Sequence, residues 1–412
     1  MSKNLDVVGT AHLLNLLTYT QQQQCLYSVF MLLNSSLKKI FPSVCLFGLS
    51  LSISACSFKS QEPNQPITNS KPIVAKNTEL LASTPTPEDK AIPKYDHIFV
   101  IVEENKSYDQ IIGNPNAPII NQLAKTYGLA KNFYGVVHLS EANYIAMLGG
   151  STFGIHDDDA FYCQAGNSDK FCYNSRQPGY ASHTITSQSL IDQLEKKGLT
   201  WKGYFEDIPF PGSKVVVAPS VKRALYAVKH NGFLNFKKVQ DDPKLSSKIV
   251  EINQLTTDLK SDKVPNYSHI IFNQCHEMHG LEECPNLQNL IKTADGMIDK
   301  VVKQITTSKL WAESGNNAII ITWDEDNNPL NKTASQGCCG YEPKSQANFG
   351  GGHIATIVIT NHGSRGVVDN TPYNHYSLLR TTEDAFGIYE YLNLAGDTSK
   401  GVKPMTALFT KK

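Results

Sequence analysis

Ile98-Phe99-Val100-Ile101-Val102-Glu103-Glu104-Asn105-Lys106-Ser107 sets the architecture of this chain. Its apolar, mostly β-branched half runs without a polar break and then stops at carboxylates. Such a run reads as a strand buried on both faces, the kind that parallel sheets contain. In open α/β sheets the ligand crevice lies beyond the carboxyl ends of the strands, so Glu104 and Asn105 stand where chemistry is expected. Ala318-Ile319-Ile320-Ile321-Thr322-Trp323-Asp324-Glu325-Asp326 repeats the pattern further along. Between the two, His138-Leu139-Ser140-Glu141-Ala142-Asn143-Tyr144 brings a hydroxyl. A nucleophile and a metal site can therefore share one crevice.

Around these tips, strands alternate with helices. Strands are expected at Tyr95–Val102, Thr200–Phe205, Tyr267–Asn273, Asn317–Trp323 and Ala355–Thr360. Helices are expected at Asn116–Tyr127 (stopped by Gly128), from Asn143 to Leu148, and at Ser187–Lys197, Asn286–Thr306 and Tyr376–Phe386. The alternation predicts an α/β sandwich with a mainly parallel central sheet flanked by helices. No internal repeat is visible.

The 412 residues carry 38 Lys+Arg against 38 Asp+Glu, so no overall field draws the chain to nucleic acid. A hydrophobic share of 41% suffices for a large core. Near the N-terminus, Lys38-Lys39 precede an apolar stretch from Ile40 to Ile53 and then Ser54-Ala55-Cys56. That order describes an export signal. Its end resembles the bacterial lipoprotein box, in which the cysteine is lipidated and becomes the first mature residue. The apolar stretch, about 14 residues, is short of the ~20 that a bilayer span needs. Residues 1–55 are therefore expected to be an upstream extension (Met31 being the start) plus a lipoprotein signal. Residues 56–92, rich in Pro, Ser, Thr and Asn, are expected to be a flexible tether from the lipid on Cys56. The catalytic domain is expected at 93–412, held at the cell envelope, and its oligomeric state is left open. Past Cys56, six cysteines remain. Cys163–Cys172 and Cys275–Cys284 are each nine residues apart and close as loop staples, while Cys338-Cys339 form a vicinal pair or pair elsewhere.

Glu104-Asn105 and Asp324-Glu325 offer hard oxygen donors that suit Mg, Ca or Mn, and added histidines would favour Zn. At this point a family resemblance emerges. Glu104-Asn105-Lys106-Ser107-Tyr108-Asp109 resembles the E-N-[RK]-S-[FY]-D opening of the bacterial phosphoesterase family, which contains acid phosphatases and non-specific phospholipases C. His138 to Tyr144 is similar to its H-P-S-x-P-N-Y segment, and Gly198 to Pro209 to its G-x-x-W-x-x-Y-x-E-x-x-P stretch. Lys229-His230-Asn231, Cys275-His276-Glu277-Met278-His279, Thr322-Trp323-Asp324-Glu325 and Asn374 to Arg380 follow in family order. The resemblance implies an alkaline-phosphatase-like fold and a metal-dependent phosphoric-ester hydrolase. It implies Glu104, Asn105, Asp324, Glu325 and Ser140 as metal ligands, Ser140 as the nucleophile that forms a phosphoserine, and Asn143 as a binder of a phosphoryl oxygen. Departures include Ala142 for Pro, Gly232 for Pro, and His276-Glu277 for Asn-Asp.

His230 and His279 are candidates for phosphate contact or leaving-group protonation, against a purely structural hydrogen bond. His353, after Gly350-Gly351-Gly352, suits a phosphate-facing loop. His375 is expected to cap or pack, and His138 to orient Ser140 or support its loop. Asp157-Asp158-Asp159 reads as a solvated acidic loop. Phosphomonoester hydrolysis is the leading reading, with a phospholipase C-type phosphodiesterase as the alternative. A surface binding protein that has lost its chemistry is the reading from another class. The lack of a G-x-S-x-G elbow excludes a serine esterase of the α/β-hydrolase type.

Overall fold

Ten strands account for the sheets of the computed structural model, which describes residues 92–261, 263–312, 315–327, 336–340 and 350–410. They are β1 His97–Glu103, β2 Gly128–Tyr134, β3 Trp201–Phe205, β4 Val217–Pro219, β5 Ala224–Ala227, β6 Ile249–Glu251, β7 Tyr267–Ile271, β8 Asn317–Trp323, β9 His353–Thr360 and β10 Val367–Asn374. The helices that matter here are α1 Pro118–Thr126, α2 Ser140–Gly149, α3 Leu190–Lys197, α4 Gln254–Lys260, α5 Leu290–Thr306 and α6 His375–Ala385. The segment expected to carry signal, Cys56 lipid and most of the tether lies outside the described residues. Among the described residues no helix is long and apolar enough to cross a membrane.

Eight strands form one sheet in the order β10-β2-β9-β8-β1-β7-β3-β6, with β4 and β5 as a separate hairpin. Only β9 runs antiparallel to its neighbours in the large sheet. The mainly parallel α/β sheet is thus as the alternation predicts, because parallel neighbours need long crossovers and the helices provide them. β1 sits near the middle and is buried from Ile98 to Val102. Its register sets Glu103 opposite Trp323 of β8 and Val102 opposite Ile271 of β7. Glu104, Asp324 and the loop after β7 therefore leave the sheet on one rim. Helix α1 packs on α5, and α2 packs on α6.

Several elements differ from expectation. Gly128 opens β2 instead of merely stopping α1. β2 escapes a sequence reading because Gly128-Leu129-Ala130-Lys131-Asn132-Phe133-Tyr134 contains no β-branched residue. β10 is an edge strand with alternating exposure and an irregularity between Asp369 and Pro372. Helix α2 begins at Ser140 rather than Asn143, with extended Leu139 before it. Every residue of α2 is buried, so it shows no amphipathic stripe.

Gly135 explains how β2 reaches the rim. A Cβ there would stand 2.8 Å from the Asp324 carbonyl oxygen and 2.9 Å from that of Gly351. The Gly135 amide donates to the Gly352 carbonyl, the Gly351 amide to the Gly135 carbonyl, and the Gly350 amide to the Val136 carbonyl. The glycine run before His353 thus serves a close backbone approach. All three cysteine pairs are disulfides, including the adjacent Cys338–Cys339.

Candidate active site

Two strand ends and one helix start build the centre of the site. Ser140 is the first residue of α2, and its Oγ lies 3.1 Å from Glu104 Oε2 and 3.3 Å from Glu325 Oε1. The Asn105 amide donates to Asp324 Oδ1 at 3.1 Å, which locks the two strand tips together. The other Glu104 oxygen faces elsewhere: Oε1 accepts from the Tyr144 hydroxyl at 2.6 Å and stands 3.3 Å from His230 Nε2. Glu104, His230 and His279 each offer an atom within 4.8 Å of the others. Ser140, Glu104, Asn105, Asp324, Glu325, His230 and His279 therefore form one connected cluster.

Their electrostatics are those of crowded, dry carboxylates. Burial first, and then the charge of Asp324, push the Glu104 carboxyl well above its ordinary range. Burial raises Asp324 to about 6 even though the Asn105 and Glu325 amides donate to it. Burial and then the charge of Lys229 bring His279 down to about 4, against the raising effect of its bond to the Gly280 carbonyl. Its Nδ1 bonds the Gly280 carbonyl at 3.0 Å, so a neutral ring presents Nε2 as a lone pair. Among the described residues, Asn105 Oδ1, Asp324 Oδ2, His230 Nε2 and Glu277 Oε2 are buried without a hydrogen-bond partner. Buried polar atoms are rarely left so. Partnerless oxygen and nitrogen donors converging on crowded carboxylates are the donor set that a divalent cation requires, so the residues fit one.

Two expected residues face other partners. Asn143 takes Val136 and Val137 amides on Oδ1, and donates from Nδ2 to the Val137 and Leu139 carbonyls. Its amide holds the loop that delivers Ser140. His353 bonds the Lys131 carbonyl at 2.7 Å and stacks on Tyr108 at 4.5 Å between centroids. His138 engages Glu325 and lies 3.6 Å from Asp326. His375 bonds the Asp324 main-chain oxygen at 2.6 Å, while Asn374 caps α6.

The wall opposite the strand tips was not legible. Glu277 Oε1 lies 2.9 Å from His230 Nδ1 and is fully buried. The expectation of a solvated loop at Asp157-Asp158-Asp159 is corrected, since each carboxylate has a structural partner. Asp157 and Glu141 flank the buried His183, each at 3.0 Å. Asp158 takes the Glu141 amide and the Lys229 ammonium, each at 3.0 Å. Asp159 takes the Asn174 amide and the Tyr180 hydroxyl. Burial opposes the charge on His183, but Glu141 and Asp157 outweigh it and raise the ring to about 10. A run of aspartates far from its partners in sequence gives no local signal of these pairings. Gly232, the departure from the family's proline, sits where a Cβ would be 2.8 Å from the Tyr144 carbonyl, so it lets the His230 turn press on α2.

Comparison with known proteins matches residues 114–389 to the model of the Phosphoesterase family. A phosphatidylinositol-3-phosphatase of Mycobacterium tuberculosis is 26% identical over 298 residues, which cover 72% of this chain and 79% of that protein. A phosphate-repressible acid phosphatase of Penicillium chrysogenum is 22% identical over 294 residues, 71% of this chain and 60% of its own length. Among solved structures, a protein in the alkaline phosphatase superfamily from Vibrio parahaemolyticus has a TM-score of 0.45 at 13% identity, covering 73% of this chain and 68% of that one. The PsFucS1 sulfatase from Pseudoalteromonas sp. has a TM-score of 0.47 at 12% identity, covering 80% and 77%.

Proposed function

The chain belongs to the Phosphoesterase family, and from that premise we propose that it hydrolyses phosphoric monoesters through a phosphoserine at Ser140, assisted by a divalent cation. One observation carries the reading: Ser140 Oγ stands at a helix start within hydrogen-bond distance of two buried carboxylates, Glu104 and Glu325. The hydroxyl has one proton and two acceptors, so a carboxylate can receive that proton as Oγ attacks phosphorus. The amides at the start of α2 favour the negative charge that gathers on the phosphoryl group. Glu104, Asn105, Asp324 and Glu325 would hold the cation, with His230 and His279 on the far side of Glu104. A bound cation supplies a charge that polarises a phosphoryl oxygen and lowers the Ser140 pKa. The oxygen donors suit Mg, Ca or Mn, and a contact from His230 would favour zinc. The names of the mycobacterial and fungal relatives support monoester hydrolysis over the diesterase alternative.

The test is turnover of p-nitrophenyl phosphate, its bis-ester and phosphatidylcholine, with and without chelator, followed by acid quench with a labelled monoester. Monoester turnover that chelation stops, with label on Ser140, is the expected result. Chelator-insensitive turnover without trapped label would exclude this mechanism. Export with a lipid on Cys56 is a separate proposal, and rests on the signal-like sequence alone. Intact mass of membrane-fraction protein tests it.

A further inference from the structure

The Lys229 ammonium stands at the edge of the cluster with 21% of its side chain exposed, while the carboxylates beneath it are buried. Two partners fix its place, Asp158 Oδ2 at 3.0 Å and His279 Nε2 at 3.3 Å. An ammonium has three donors, and these two contacts leave one for a ligand. Asp158 does more than balance charge. Its second oxygen, Oδ1, accepts the amide of Glu141, the residue directly after Ser140. One carboxylate thus ties the ammonium to the start of the nucleophile's helix. Lys106, the other lysine near the site, is engaged by the carbonyls of Asn105 and Met278. A phosphoryl group entering among Glu104, Asp324, Glu325 and Glu277 meets carboxyl oxygens, which repel its own, on most sides. A protein cation at the mouth offsets that repulsion where charge develops on the equatorial oxygens.

We propose that Lys229 is a catalytic residue that clamps a non-bridging oxygen of the transferring phosphoryl group, and that Asp158 is its positioning residue. The inference rests on the phosphoester-hydrolase reading above and adds to it the residue that binds the oxyanion. A lysine that only neutralised its acidic neighbours would predict lost stability without lost oxyanion affinity.

The full chain serves for the test, with p-nitrophenyl phosphate for turnover, orthovanadate binding by calorimetry, zinc affinity after chelation and thermal melting. Lys229→Met should lower kcat by about 100-fold, the scale for losing one oxyanion donor, and weaken orthovanadate by a similar factor. Lys229→Arg keeps the charge and should recover part of both. Asp158→Asn should weaken orthovanadate in the unaltered background and add little on top of Lys229→Met, because the two act as one unit. Orthovanadate affinity within about twofold of the parent in Lys229→Met would overturn the clamp. Should that variant misfold, unchanged orthovanadate affinity in Asp158→Asn would overturn it instead. Independent, additive losses in the double variant would overturn the positioning role. Absence of turnover in the unaltered chain would sink the hydrolase reading, and orthovanadate binding would still decide the clamp.

Discussion

The strand-tip side of the cluster and its loop-built wall hold similar groups in different ways. On the strand side, Glu104, Asn105 and Asp324 follow directly from β1 and β8, whose ladder runs from His97 with Asn317 to Glu103 with Trp323. The wall consists of Glu141, Asp157, Asp158, His183, Lys229 and Glu277, held by the ion pairs of His183 and Lys229 and by the contact of Glu277 with His230, all between segments far apart in sequence. On the strand side, buried donors are left without partners. On the wall, acid and base are matched at His183 and Lys229, and Glu277 Oε2 is the exception left without a hydrogen bond. The difference teaches a division of labour: the ladder places groups that need an outside partner, and the wall supplies partners from within the chain.

The largest effect should come from the centre of the cluster. Ser140→Ala removes a hydroxyl that touches Glu104 and Glu325 and leaves the start of α2 otherwise unchanged. Turnover should fall by roughly 10⁴-fold or more, as expected for loss of a covalent nucleophile. Zinc affinity, read by calorimetry, should fall far less. Asp324→Asn should do the reverse in kind: turnover falls but rises again with added cation. If both variants respond alike to added cation, the nucleophile and the cation donors are not separable and the strand side is misread.

A wall substitution should act on stability first. His183 is fully buried between Glu141 and Asp157, and Tyr180 stacks on its ring at 5.4 Å. His183→Leu would leave two carboxylates without their cation, at a cost of about 3–5 kcal/mol. Denaturant unfolding should show that loss, while zinc affinity of the folded protein stays close to the parent. A collapse of zinc affinity at unchanged stability would erase the distinction between wall and strand side.

The same contrast explains what the sequence could tell. β8 matches its expected bounds, Asn317–Trp323, because a continuous run of buried apolar residues is a strong local signal. Its tip was legible for the same reason. α2 was placed three residues late because total burial removes helical periodicity, so the hydroxyl at its first position was not seen as helical. β2 and β10 were missed for lack of β-branched runs and because an edge strand is half exposed. Lys229 and Glu277 lay inside recognised motifs, yet their roles depend on contacts with Asp158 and His230 that no spacing encodes. His353 misleads for a related reason: glycines before an imidazole suit an anion loop, but here they let β9 approach β2.

A buried carboxyl away from the cluster sharpens the comparison with the smallest effect. Glu383 of α6 accepts from Gln193 Nε2 at 2.9 Å and from the Leu392 amide at 3.0 Å. Burial is the main cause that lifts it to about 8, against the lowering by those two hydrogen bonds and Arg380. In an unfolded chain its pKa is about 4.3. Between those values the folded state keeps a proton that the unfolded state has released, so stability falls as pH rises toward 8. The slope from this one group is at most about 1.4 kcal/mol per pH unit. Glu383→Gln cannot ionise and keeps an oxygen for both donors, so it should melt near the parent at pH 4.5 and above it at pH 8. Parallel melting curves across that range would show that Glu383 does not titrate there. Turnover per folded molecule should keep the parent's pH profile, because Glu383 contacts none of the cluster donors. A shifted profile would instead mean that α6, through His375 on the Asp324 main chain, transmits charge to the strand tips.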